Sequence, residues 1–341
     1  MSGYVQHLRE VNFNSRLPKY RQVILAISRD IRKSILLPGD KIPSINEASS
    51  ECYLSRDTVE KAYKELSKRG VIRSVPGKGF FVSDTVHENP LKILLIFDRL
   101  DDCRWKLYHA LTESLEKSEL TMMSYEHNYR MLTLSLQEHQ DDFDFFIVIP
   151  HFFAYQEDLK KAFAAVVPER LIVLTHEVSG LDNQTSQFTF DRRRAWEHAL
   201  REVEDRFLSY KRMVLYFPED FSFPQEILEA VKAFCESIQL PFKLRQEWDR
   251  MKVMTGDICL VLEDETLTSL LELASERNLE PGKDLGIVSF DDNPLKAALA
   301  GGISTLGYDY QEIAELTATR IETGNPLSHH FPLQWRMRKS F

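Results

Sequence analysis

No stretch of this chain approaches the roughly 18 consecutive apolar residues that a membrane helix needs. The opening residues Met1 to His7 also lack the apolar core of a signal peptide. A membrane span and a secretory leader are thereby excluded, and a cytoplasmic protein is expected. Cysteine is scarce: Cys52, Cys103, Cys235 and Cys259 lie far apart. They form neither a CxxC pair nor a Cys/His metal spacing, so isolated thiols are expected, with no metal or other cofactor. Also missing are GxxxxGK[ST], a GxGxxG opening a helix, GxSxG and HExxH, which would announce a nucleotide enzyme, a hydrolase or a metalloprotease. Gly77-Lys78-Gly79 is too short for a phosphate loop.

What is present is an ordinary globular composition, 43% hydrophobic and 28% charged. The 341 residues are too many for one compact core and suit two or three domains. A net charge of -9 argues by itself against nucleic acid as a partner, but the charge is unevenly spread. Residues 1–85 carry 15 Lys+Arg against 9 Asp+Glu, a balance of +6, which leaves -15 for the remainder. A basic head therefore sits on an acidic body.

In the head, Tyr20, Val23, Ile27, Ile31 and Ile35 recur at three- and four-residue steps between Pro18 and Leu36. This is the stripe of an amphipathic helix, ended by Pro38 and Gly39. Ser44-Ile45-Asn46-Glu47 is a capping box that starts a second helix and gives Glu47 a structural role. A third helix begins at Ser55, with Leu54 and Val59 as a hydrophobic staple and Val59, Ala62, Tyr63 and Leu66 as its buried face. Arg56, Asp57, Thr58, Glu60, Lys61, Lys64 and Lys68 are left toward solvent, either as a plain solvated face or as a DNA-contacting one. Val71 to Val75, the turn Pro76-Gly77-Lys78-Gly79 and Phe80-Phe81-Val82 predict a β-hairpin whose glycines permit close backbone approach. Three helices and a basic-tipped hairpin make a winged helix-turn-helix over residues 1–83. In such a unit the start of the third helix reaches base edges, where an arginine pairs bidentately with guanine.

These residues resemble the GntR family of bacterial transcriptional regulators. Pro38 to Ser44 is similar to that family's PGxxLPS signature, Leu54 to Val59 to its VSRxTV, and Gly70-Val71-Ile72 with Gly77 to Val82 to its GxI...GxGxFV wing. The resemblance implies DNA contacts from Ser44, Asn46, Ser55, Arg56, Thr58, Lys61, Gly77 and Lys78. Asn46 and Glu60 depart from it, standing where the family usually has arginines. Asn46 suits adenine or phosphate, whereas Glu60 either turns away or accepts a hydrogen bond from cytosine.

Asp84 to Leu91 is polar and aperiodic and reads as a linker. Beyond it, apolar runs at Ile93–Phe97, Phe145–Pro150, Leu171–Thr175, Met213–Phe217, Ile258–Leu262 and Leu285–Phe290 alternate with helical stretches such as Trp105–Glu119, Phe223–Ser237 and Thr266–Asn278. Continuous apolar strands between amphipathic helices imply parallel sheets covered on both faces. The fold class is therefore α/β, a winged helix-turn-helix followed by a two-lobed body over residues 92–341. Ligands in such bodies sit at the carboxyl ends of strands, where Asp98, Arg99, His151, Phe152, Thr175, His176, Phe221, Phe223, Trp248, Glu263, Asp264, Asp291, Asp292 and Tyr308 lie.

The body is similar to the periplasmic-binding-protein-like effector domains of LacI-type regulators. Leu285 to Asp292 resembles their VxVIGFDD segment, Ile303 to Leu306 their LTTI and Met337 to Ser340 their closing VRxS, while Lys92 to Phe97 resembles their opening strand. A GntR head on a LacI-like body is the arrangement of arabinose-repressor-type regulators. It implies effector contacts from Asp191, Trp248, Glu263, Asp291 and Tyr308. The arginine that this family commonly places around Ile227 to grip a ligand is missing. Arg99, Arg192 or Arg193 are candidates to replace it, and a neutral ligand is favoured. Asp292 reads equally as a turn residue, and His329-His330 as an exposed loop pair rather than a metal site.

The expected partners are operator DNA, a monosaccharide effector such as arabinose or fucose, and a second copy in a homodimer, with no membrane involved. A sugar-modifying enzyme with a regulatory head and a ligand-independent DNA-binding dimer are the competing readings.

Overall fold

The computed structural model describes residues 18–32, 35–83, 90–152, 158–175, 178–218 and 223–341. Met1 to His7, most of the linker, His176 and Phe221 fall outside them. In the head, α1 (Lys19–Arg32) turns Val23, Ile24, Ile27 and Ile31 inward. Further on, Ile35 is exposed while Leu36 takes the buried place. The short strand β1 (Lys41–Ile42) precedes α2 (Ile45–Cys52). Beyond Tyr53, which caps α2 in the left-handed region, α3 (Arg56–Lys68) buries Val59, Ala62, Tyr63 and Leu66. The Tyr63 hydroxyl donates to the Pro43 carbonyl at 2.8 Å and ties α3 to the turn before α2. β2 (Ile72–Val75) and β3 (Gly79–Val82) form the wing, and β1 joins it as a third strand antiparallel to β3.

The first lobe of the body runs β4 (Leu91–Phe97), α4 (Asp102–Ser114), β5 (Ser118–Ser124), α5 (Tyr129–Glu138), β6 (Phe145–Ile149), α6 (Leu159–Phe163), β7 (Leu171–Thr175) and β8 (Ser186–Thr189). β4 takes in Leu91, which the sequence reading leaves with the linker. Along β4, Ile93, Leu95 and Phe97 face the helix layer containing α4, whereas Leu94 and Ile96 face α5 and α6. Burial on both faces is why this strand reads as a continuous apolar run.

The second lobe runs α7 (Arg192–Glu202), α8 (Glu204–Phe207), β9 (Arg212–Tyr216), α9 (Gln225–Ser237), β10 (Phe242–Arg245), β11 (Asp257–Val261), α10 (Asp264–Glu276), β12 (Gly286–Phe290), α11 (Pro294–Ala298) and β13 (Ser304–Gly307). Next, α12 (Tyr310–Thr323) returns to pack on the first lobe, β14 (Ser328–His330) extends the first sheet, and β15 (Gln334–Arg336) closes the second. The sheet orders are β14-β8-β7-β6-β4-β5 and β10-β9-β11-β12-β13-β15, parallel except for the β13–β15 pair. His329 and His330 are exposed as expected, but they sit on an edge strand and not in a loop.

The chain passes between lobes near Phe190–Asp191, Tyr308–Tyr310 and Phe331–Leu333, and Tyr308 packs against both cores. The C-terminal segment is structural: Ser340 Oγ donates to Ile287 O at 2.6 Å and accepts from Ser304 N at 2.8 Å. The head leans on the first lobe through Arg21 and Asp141 (2.5 Å) and Arg69 and Asp144 (3.8 Å).

Candidate functional site

At the head, the Ser44 hydroxyl accepts from Glu47 N (3.2 Å) while the Glu47 carboxyl accepts from Ser44 N (2.7 Å), completing the capping box. Those hydrogen bonds hold Glu47 below its ordinary range. Ser55 Oγ accepts from Thr58 N and meets Thr58 Oγ1 at 2.8 Å, which rigidifies the first turn of α3. Arg56 projects from that turn and is exposed, as are Asn46 on α2 and Lys78 at the wing tip. Gly77 has a φ of 74° and Gly79 of 106°, values that favour glycine at the tight turn.

Glu60 pairs with Lys64, one turn further along α3, at 2.7 Å. Lys61 places its Nζ over the Tyr20 ring, 4.0 Å from the centroid. Both lysines line a cavity of about 1060 Å³ between head and body, opposite Asp141, Asp142 and Asp144. Arg56 is not among the residues that line this cavity.

The body holds a second cavity, about 460 Å³, where the carboxyl ends of strands from both lobes meet. Arg99, Ile149, His151, Leu174 and Phe190 line it from the first lobe. Phe223, Ile227, Leu262, Glu263, Phe290 and Asp291 line it from the second, with Tyr308 at the crossing. Parallel strands end together at this edge, which is why α/β folds bind ligands there. Asp291, only 3% exposed, follows β12 in the left-handed region at φ 56°. Its Oδ2 accepts hydrogen bonds from Cys103 Sγ and Tyr310 Oη, both at 2.8 Å. Burial, reinforced by Asp291, pushes the Cys103 thiol and the Tyr310 phenol well above their usual ranges, so both stay protonated as donors. Cys103 and Tyr310 belong to helices packed on the first lobe, so this cluster is a latch across the cleft. Asp291 Oδ1 is buried against Gly307 and meets no hydrogen-bond donor among the described residues.

Sequence reasoning missed two cations beside this latch. Lys296, 2% exposed, donates to the carbonyls of Phe290 (2.8 Å) and Asp291 (2.9 Å) and pairs with Asp264 at 2.7 Å. Its only sequence signal is Asn293-Pro294, where Asn293 caps α11 by accepting from Lys296 N. Arg104 grips Asp98 (3.1 and 3.0 Å) and Asp101 (3.1 Å). Burial pushes the Asp98 carboxyl up, but the His151 hydrogen bond and the Arg104 charge outweigh it and hold the group at about 2.

Of the residues expected to contact an effector, Glu263, Asp291 and Tyr308 come together in the cleft and the other two do not. Trp248 follows the edge strand β10, is not among the residues that line the cleft, and packs on Tyr216 at 5.7 Å. Asp191 lies at a lobe crossing, but its carboxyl caps α7 by accepting from Arg194 N at 3.1 Å. Arg99 lines the cleft, whereas Arg193 pairs with Glu197 (3.0 Å) and Glu229 (3.7 Å) on the exposed side of α7. The Arg192 side chain lies outside the described residues. Asp292 makes two hydrogen bonds with Arg338, at 2.7 and 2.8 Å, which favours its structural reading.

Fold and site together define a winged helix-turn-helix joined to a periplasmic-binding-protein-like body. Residues 19–82, the winged-helix head, match the family described as "Bacterial regulatory proteins, gntR family". Over 75 residues the chain is 36% identical to the HTH-type transcriptional repressor YtrA of Bacillus subtilis, covering 22% of this chain and 58% of that protein. Over 67 residues it is 40% identical to the arabinose metabolism transcriptional repressor of Geobacillus stearothermophilus, covering 20% of this chain and 18% of that one. The chain thus spans less than two thirds of the length of these curated relatives.

The body has the fold of LacI family regulators. A LacI family transcriptional regulator from Arthrobacter sp. FB24 superposes with a TM-score of 0.57 at 16% identity, over 74% of this chain and 98% of that one. The trehalose repressor from Escherichia coli superposes with a TM-score of 0.57 at 16% identity, over 72% and 99%. These relatives and neighbours are named as transcriptional regulators, not enzymes. Among the described residues, no helix is long and apolar enough to cross a membrane.

Proposed function

We propose that the protein is a ligand-responsive transcriptional repressor of sugar-utilisation genes, acting in the cytoplasm as a homodimer. The observation that carries the reading is a GntR-type head on the same chain as an interlobe cleft whose two walls are joined through Asp291. The working division is a DNA-binding head to residue 83, a linker, and an effector-binding and dimerising body from Leu91 onward. Ser44, Asn46, Ser55, Arg56, Thr58, Gly77 and Lys78 contact the operator, Arg56 through base edges. Lys61 joins them only when the head swings off the first lobe.

In the cleft, Phe190, Phe223 and Tyr308 offer faces for the C–H surfaces of a sugar, while Glu263 and Asp291 accept its hydroxyls. A hydroxyl reaching Asp291 competes with the weak Cys103 S–H donor, which links ligand binding to the latch. Arg104 and Lys296 are already paired with carboxyl groups, which favours a neutral monosaccharide, arabinose- or fucose-like, over an anion. The shape of the cleft is coupled to the spacing of two heads by about 1 to 3 kcal/mol. Palindromic half-sites follow from a twofold dimer.

The test is a thermal-melt screen of purified protein against neutral monosaccharides, sugar phosphates and nucleobases. A ligand at about one hundred times its Kd adds roughly 2.7 kcal/mol. A shift with one neutral sugar, which also changes retention of a selected operator in a gel, is the expected result. A shift confined to sugar phosphates overturns the neutral-ligand assignment. Operator binding with no response to any compound replaces the reading with a ligand-independent regulator.

A further inference from the structure

We propose that Asp98, His127 and His151 bind one divalent transition-metal ion at the carboxyl edge of the first-lobe sheet, beside the interlobe cleft. The three residues follow β4, β5 and β6, which lie side by side in the order β6-β4-β5. Their ligand atoms fall within 4.8 Å of one another, the one such convergence of three donors among the described residues. A single oxygen, Asp98 Oδ2, is 2.8 Å from His151 Nδ1 and 3.8 Å from His127 Nδ1. The two imidazole rings stand nearly perpendicular, with centroids 5.2 Å apart.

A tetrahedral ion with bonds of about 2.1 Å sets its donors roughly 3.4 Å apart. That separation lies between the two carboxylate–imidazole distances, and to complete the site His127 Nδ1 exchanges its 3.1 Å contact with the His151 carbonyl for the ion. Two imidazole nitrogens and one carboxyl oxygen suit zinc, cobalt, nickel or ferrous iron. The set is too rich in nitrogen for calcium or magnesium, which prefer oxygen cages.

The surroundings hold the donors in place. His127 and its neighbour Glu126 both adopt positive φ (54° and 50°), uncommon for residues other than glycine, and this turn aims the ring inward. The Tyr125 hydroxyl accepts from His151 N at 2.7 Å and lies 3.0 Å from His151 O, which pins the backbone beneath the second ring. Arg104 hydrogen-bonds the Asp98 carboxyl and fixes its plane, as outer partners of metal ligands do. Because Arg104 is shared with Asp101, the two carboxylates and one guanidinium sum to a charge of about -1, which attracts a dication. His151 also lines the cleft, so the proposed ion borders the effector site.

The test uses the untagged full chain, stripped with a chelator and titrated with Co²⁺ by calorimetry and visible absorbance. One equivalent per chain with ligand-field bands is expected. His127→Gln and His151→Gln each weaken binding at least roughly tenfold. His127→Cys keeps the ion and adds a sulfur-to-cobalt charge-transfer band, which a merely structural histidine cannot produce. Circular-dichroism melts check that each variant folds. Absence of stoichiometric binding by the parent chain overturns the proposal, and so does unchanged affinity in both glutamine variants.

Discussion

Tyr310→Phe isolates the interlobe latch. The substitution keeps the ring and removes one O–H donor from Asp291 Oδ2, a contact of 2.8 Å between a first-lobe helix and the end of β12. A hydrogen bond to a charged, buried acceptor contributes about 1.5–3 kcal/mol. Asp291 is 3% exposed, so the lost donor is poorly replaced by water. In a body of about 250 residues each kcal/mol moves the melting temperature by about 2–4 °C. A fall of about 3 to 12 °C is therefore expected in calorimetry, with a larger radius of gyration by small-angle scattering as the lobes part. Tyr129→Phe is the control, because its hydroxyl bonds Asp158 O within the first lobe at an exposed site, and its melt stays within about 1 °C. If Tyr310→Phe melts and scatters like the parent, the lobes are held by apolar packing and the latch argument fails.

Three further outcomes are expected. Arg56→Ala leaves the fold within about 0.5 kcal/mol, since the side chain is exposed. It weakens operator binding by about 1–3 kcal/mol, which a gel shift at fixed salt reads directly, and normal retention contradicts the recognition-helix assignment. Gly307→Ala destabilises by about 1–3 kcal/mol, because a Cβ there meets Asp291 Oδ1 at 2.5 Å and Asp291 Cα at 2.8 Å; an unchanged melt refutes it. For Asp292, burial raises the carboxyl, but the Arg338 hydrogen bonds and charge outweigh it and hold the group below its ordinary value. A lowered value in the folded chain means stability that is present above about pH 4 and lost as pH falls below it. The parent should lose more melting temperature than Arg338→Gln between about pH 5 and about pH 3, and equal losses count against the pairing.

Local chemistry made the head legible. Ser44 with Glu47, and Leu54 with Val59, act over three to five residues, so the starts of α2 and α3 can be read directly from the chain. The same holds for the central strands of the body, whose burial on two faces demands unbroken apolar runs. Edge strands escaped notice for the converse reason. β5 carries Ser118, Glu119, Thr121 and Ser124 because much of it faces water, and it leaves no apolar run. Trp248, which the family resemblance offers to the cleft, follows the edge strand β10 and packs against Tyr216.

The composition split, the capping motifs and the apolar runs determined from the chain alone that a basic winged helix precedes an acidic α/β body. Each of these rests on contacts between near neighbours or on the period of one element. Only the tertiary structure decided which strand ends share the cleft, that Lys296 braces it, and that Asp291 is held by Cys103 and Tyr310 from the other lobe. The same is true of Asp98, His127 and His151, separated by as many as 53 residues along the chain. Such groupings follow from strand order and from the crossings between lobes, which bring distant residues to one edge without leaving any spacing in the sequence.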